Sequence, residues 1–116
     1  MLADDEDGLR EILSGILRRA GYVVLEAHTS DAACDAARRH GQKIDLLISD
    51  VRLPRIGGMC LFGELRRSNP DLRAVFISGD TLEEICKDAP LPNGTAFLEK
   101  PFENDAFLKT VREILG

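Results

Sequence analysis

The chain has 116 residues, enough for one domain around one modest core. Its formal net charge of -5 comes from 20 acidic and 15 basic residues mixed along the sequence, which gives no broad basic field for nucleic acid or an anionic membrane surface. No apolar run approaches the ~20 residues of a membrane span, and the start, "MLADDEDG", has neither the basic nor the apolar region of a signal peptide.

In chain order, Met1, Leu2 and Ala3 begin a strand that runs at once into Asp4 and Asp5. Leu9, Ile12, Leu13, Ile16 and Leu17 recur at helical spacing until Gly21 stops them. "YVVLEA" from Tyr22 is short and β-branched and reads as a strand. Thr29 or Ser30 can cap a helix whose small apolar face is Ala32, Ala33, Ala36 and Ala37. "IDLLISD" is the next strand, and "GGMCLFGELRRSNP" the next helix, with Met59, Leu61, Phe62 and Leu65 as apolar positions and Pro70 beyond its end. "RAVFISGD" is a strand, a weak helix spans Leu82 to Lys87, and "PLPNG" interrupts. "TAFLEK" is the last strand, and Glu103 to Leu115 the last helix, with Phe107, Leu108, Val111, Ile114 and Leu115 on one side. There is no internal repeat, low-complexity segment or linker, so residues 1–116 read as a single domain.

Helices and strands alternate strictly, and the strands are near-continuous apolar runs. That pattern predicts an α/β fold with a parallel sheet covered on both faces. Ligands of such sheets bind at the carboxyl ends of the strands. The residues there are Asp4 and Asp5 after "MLA", Asp50 after "LLIS", Ser78 after "AVFI" and Lys100 after "AFLE". Three residues before Asp4 are too few for a buried strand, which normally has about five. The expectation is a truncated first strand, with the sequence beginning inside it or lacking residues before Met1.

Close carboxylates repel and need a cation. Oxygen ligands without His or Cys favour a hard ion such as Mg²⁺. A lysine beside them suits a phosphoryl oxygen, and a carboxylate can itself become an aspartyl-phosphate. Asp50 is the best nucleophile, because the turn fixed by Pro54 leaves its edge open. Each residue also has a plain reading: Asp4 and Asp5 as helix-capping acids, Ser78 as a turn residue before Gly79, Lys100 as a surface lysine and Phe97 as core. A calcium loop fails, because placing Gly8 at the loop glycine makes Ala3 the first ligand and Ser14 the last. Cys34, Cys60 and Cys86 are far apart with no CxxC pair, which reads as reduced thiols in a cytosolic protein rather than a zinc site. His28 and His40 read as solvated surface.

The early "DDE", then "LLISDVRLPRIGG", "FISGD" and "FLEKPF", resemble the receiver domain of two-component response regulators over essentially the whole chain. The resemblance implies a doubly wound, flavodoxin-like sheet of five parallel strands in the order 2-1-3-4-5, with helices on both faces. By position it makes Asp50 the phosphoacceptor, Asp5 a direct Mg²⁺ ligand, Asp4 a ligand mostly through water, and Arg52 the donor of a backbone carbonyl to the metal. Ser78 and Lys100 would bind the phosphoryl group, Phe97 would be the aromatic switch, and Pro101 would follow a cis peptide. Ser78 stands in place of the commoner threonine, and Gly57 where a polar cap is frequent. Implied partners are a histidine kinase or a phosphotransfer protein, with a homodimer through the short helix, the Phe97 strand and the last helix as a further mode. Neither nucleic acid nor membrane is a direct partner, and the location is cytoplasmic. "FISGDT" with "FLEKPF" is similar to receivers carried on hybrid histidine kinases.

Two other classes compete. A magnesium-dependent phosphohydrolase acting through an aspartyl-phosphate usually has a second aspartate two residues after the nucleophile, where this chain has Arg52. A flavodoxin-like binding module would need a phosphate loop rich in glycine or hydroxyls after the first strand, and "DDEDG" is neither.

Overall fold

The computed structural model describes residues 1–116. The elements are β1 (Leu2–Ala3), α1 (Asp7–Arg19), β2 (Glu26–Ala27), α2 (Ser30–His40), β3 (Leu46–Asp50), α3 (Gly58–Arg66), β4 (Arg73–Ser78), α4 (Leu82–Ile85), β5 (Thr95–Glu99) and α5 (Asn104–Leu115). All strand pairs are parallel, in the order β2-β1-β3-β4-β5, as the resemblance implied.

The two-residue period of a strand divides the core between the two faces of the sheet. Leu46, Ile48, Val75 and Ile77 pack with Leu13 and Leu17 of α1 and with Phe107 and Val111 of α5. Leu47, Ala74 and Phe76 point the other way, toward Ala33 of α2 and Leu61, Phe62 and Leu65 of α3. Phe62 meets Phe76 edge to face, with ring centroids 5.8 Å apart. This is the doubly wound arrangement. Ile12, expected on the apolar face of α1, instead lies 54% exposed.

Local capping follows the sequence in part. The Thr29 hydroxyl accepts from the Ala32 N–H and starts α2, while Ser30 is buried and donates to the Pro54 carbonyl. Gly57 precedes α3 at a φ of 83° that suits glycine, and offers no side-chain cap. Gly58 is required by space: a Cβ there would lie 2.4 Å from the Asp50 carbonyl oxygen.

Three elements are short. β1 has two residues, which agrees with the expected short first strand. In consequence β2, an edge strand whose sole neighbour is β1, is reduced to Glu26–Ala27, and Tyr22–Val24 have no ladder partner although their residue types favour one. α4 ends at Ile85 rather than Lys87 and has no buried residue, so no apolar contact extends it toward "PLPNG".

Candidate functional site

The carboxyl ends of β1, β3, β4 and β5 meet at one edge of the sheet. Asp4 follows β1 directly, and its N–H still donates to the Ala27 carbonyl at 3.0 Å. That bond holds the side chain inside, at 1% exposure. Asp4 Oδ1 accepts from the Glu6 N–H at 2.8 Å, but its Oδ2 is buried with no partner. Burial pushes the Asp4 carboxyl above its ordinary value, against the opposing pull of the Glu6 N–H and the Lys100 charge. Asp5 is exposed beside it.

Asp50 ends β3, with its side chain 14% exposed. Its Oδ1 accepts from the Arg52 N–H at 3.0 Å, and its Oδ2 faces Lys100 Nζ at 3.2 Å. The Asp50 main chain is fixed from behind, because the Ser49 hydroxyl donates to the Asp50 carbonyl and Gly58 packs against it. One carboxylate oxygen from each of Asp4, Asp5 and Asp50 falls within 4.8 Å of the others. An all-oxygen set with one orphaned, buried oxygen fits a hard divalent cation, which would supply the missing partner of Asp4 Oδ2.

Lys100 follows β5, anchored by its N–H on the Ser78 carbonyl at 2.7 Å, and the Lys100–Pro101 peptide is cis. Burial alone would lower its ammonium. The charges of Asp50, Asp4 and Glu6, with the hydrogen bond to Asp50, outweigh that and raise it, so Lys100 stays a cation. Ser78 ends β4 and is buried, and its Oγ accepts from the Asp80 N–H at 2.9 Å. Phe97 sits half-buried in β5 opposite Phe76, on the face of the sheet covered by α2 and α3.

The structure therefore brings Asp4, Asp5, Asp50 and Lys100 together and sets Ser78 on the neighbouring strand end. Two neighbours escaped the sequence reading. Glu6 comes to 3.9 Å from Lys100 Nζ, and Asp80 takes the exposed Arg52 guanidinium in an ion pair at 2.6 Å. Arg52 and Asp80 are 28 residues apart, and nothing in their spacing links them until β3 and β4 pair.

The sequence matches the family model of the response regulator receiver domain over residues 1–112. The chain belongs to that family. As a receiver, it is a two-component signalling domain, and the hydrolase reading is not favoured. It is 33% identical to the sensor kinase CckA of Brucella abortus over 117 aligned positions, covering 99% of this receiver but 12% of the kinase. It is 28% identical to the receiver protein CpdR of the same organism, covering 94% of that protein. Among solved structures, the receiver domain of the hybrid histidine kinase CckA superposes with a TM-score of 0.82 at 33% identity, covering 99% of this chain and 96% of that one. Receiver domains bind Mg²⁺ at acidic residues, and they interact with histidine kinases or phosphotransfer proteins. No helix of this receiver is long and apolar enough to cross a membrane.

Proposed function

We propose that residues 1–116 form one phosphoacceptor domain in which Asp50 takes a phosphoryl group from a phosphohistidine of a histidine kinase or phosphotransfer protein. A carboxylate oxygen of Asp50 attacks phosphorus. The P–N bond breaks, its electron pair stays on the imidazole, which then takes a proton, and an acyl phosphate remains on Asp50. The observation that carries this reading is the Asp50 carboxylate, held 3.2 Å from Lys100 Nζ and clustered with the Asp4 carboxylate, one oxygen of which has no partner.

Asp5 and Asp50 are assigned as direct Mg²⁺ ligands, Asp4 as a ligand mostly through water, and the Arg52 carbonyl as a further donor. Bound Mg²⁺ would neutralise charge on the transferring phosphoryl oxygens. Lys100 would do the same as a compact point charge beside Asp50. Ser78 accepts from Asp80 N–H and so keeps its own proton to donate to a phosphoryl oxygen. Drawing Ser78 and Lys100 toward the new phosphate would bias the α4-β5-α5 surface, with Phe97 turning into the space behind Ser78. That surface would regulate a partner, an attached output or a second copy. Three unpaired cysteines fit a cytoplasmic setting.

Acetyl phosphate with Mg²⁺ tests the assignment. One equivalent of stable acyl-phosphate label on Asp50 is expected, followed by slow self-catalysed loss, and no label on the D50N variant. Rapid multi-turnover release of phosphate would instead support the hydrolase. Undiminished label on D50N would move the acceptor elsewhere.

A further inference from the structure

Arg10 lies one turn into α1, and phosphoryl transfer as described above gives it no role. Its side chain is 18% exposed, whereas that of Arg18 in the same helix is 54% exposed. Side chains on a helix lean toward its N-terminus, so a long one at this position reaches back over the first turn to the end of β1.

The Arg10 guanidinium is divided among three elements. Nη1 donates to the Asp4 carbonyl at 2.8 Å, Nη2 donates to Asp7 Oδ1 at 2.8 Å, and Nε lies 3.5 Å from Glu26 Oε1 in β2. Glu26 is fixed in turn: the buried Ser14 hydroxyl donates to its Oε2 at 3.0 Å, and Arg18 reaches the same oxygen at 3.4 Å. These contacts differ in weight. The Asp7 side chain is 87% exposed, and an ion pair in water contributes little. The Asp4 carbonyl belongs to the planar peptide that joins Asp4 to Asp5, and Arg10 alone donates to it. On the other side of Asp4, its N–H donates to the Ala27 carbonyl at 3.0 Å. The main chain of the buried acid is therefore held at both ends, and the orientation of the Asp4–Asp5 peptide sets the direction in which Asp5 leaves the chain.

We infer that Arg10 is a positioning residue for the acidic cluster: through the Asp4 carbonyl it holds the Asp4–Asp5 peptide so that Asp4 and Asp5 each turn a carboxylate oxygen toward Asp50. The inference rests on the reading of Asp4, Asp5 and Asp50 as a Mg²⁺ site. A guanidinium suits the task because its rigid fork bonds in fixed directions, where an ammonium offers a point charge on a flexible stem. Its charge works the other way, since a cation beside the cluster repels a divalent ion. Geometry and field therefore predict opposite signs for the loss of Arg10, and a structural tie between α1 and β2 alone predicts no effect on metal affinity.

The test titrates MgCl₂ into the unphosphorylated full chain and its variants, follows the amide chemical shifts, and measures the urea midpoint of each. Arg10→Ala is expected to weaken Mg²⁺ binding about ten-fold or more, the scale of losing a group that orients a metal ligand. Arg10→Lys, which keeps the charge and loses the fork, should also weaken it, and carries the test if the alanine variant does not fold. Asp7→Ala should bind as the parent does. Unchanged or tighter binding in both Arg10 variants would overturn the inference, and so would an equal loss in Asp7→Ala. Parental affinity in Arg10→Lys alone would overturn the requirement for the fork. Asp5→Ala is titrated in parallel: unchanged affinity there would overturn the metal site itself and the role of Arg10 with it, whereas a loss there with none in the Arg10 variants overturns the role of Arg10 alone.

Discussion

The two edges of one sheet treat buried charge in opposite ways. At the carboxyl edge, Asp4, Asp5 and Asp50 gather within 4.8 Å, and Lys100 reaches Asp50 from β5. Charge there is concentrated and only partly compensated, since Asp4 Oδ2 is left without a partner. At the amino edge, a single Met1 ammonium lies largely buried, donating to the Leu46 carbonyl with the Asp45 charge nearby. The first arrangement holds charge where a cation and a phosphoryl group can complete it. The second is a single charge that burial disfavours. The lesson is that buried charge points to chemistry when several polar groups converge on it, and not when a single charge is merely desolvated.

If the edges differ in this way, changes at one should spare the other. The largest effect is expected from Lys100→Ala, which should slow labelling by acetyl phosphate roughly 10²-fold, the scale of one lost charge-stabilising donor. Its urea midpoint should move little. A large drop in stability with an intact labelling rate would make Lys100 a structural residue and erase the distinction.

The amino edge gives the next effect, in stability alone. The Met1 amine is held at about 6 when folded, against 8.0 ordinarily. The unfolded chain therefore binds more protons between those values, and stability should rise with pH from about 6 to 8. Above that window the penalty is absent; below it the penalty is complete. Two pKa units correspond to about 2 to 3 kcal/mol. Acetylating the amine should flatten this part of the curve. A slope that survives acetylation would assign it to another group.

Gly58→Ala is the variant that should cross the divide. Its Cβ would press on the Asp50 carbonyl, costing about 1 to 3 kcal/mol as an overpacked contact and disturbing the carboxylate attached to it. Thermal unfolding and labelling should both suffer. Normal values for both would show that β3 can shift without cost.

The smallest expected effect concerns how far a charge event at the carboxyl edge spreads. With beryllofluoride and Mg²⁺, protection against amide exchange should change between Ser78 and Leu108, where α4 has no buried residue to hold it. Changes concentrated on Leu9 to Leu17 would place the switch on α1 instead.

The sequence by itself determined the alternation of elements, the parallel sheet and which strand ends carry acids, a hydroxyl and a lysine. Those follow from short-range information: apolar runs of strand length, helical spacing, and the residue at which each run ends. The order 2-1-3-4-5 and the proposed switch role of Phe97 came with the family resemblance, whereas Asp50 as the candidate nucleophile and Lys100 as a candidate phosphoryl partner were also argued from residue chemistry. Only the tertiary structure decided the rest. Tyr22 to Val24 look like strand in isolation, but a strand also needs a neighbour, and β1 is too short to give one. Ile12 fits a helical repeat and still faces solvent, because the width of the buried stripe is set by what α1 packs against. The Arg52–Asp80 pair and the 2.4 Å approach that demands glycine at Gly58 join residues that meet after folding. No local pattern encodes such meetings, because their energy depends on distances that the chain acquires only when its layers close.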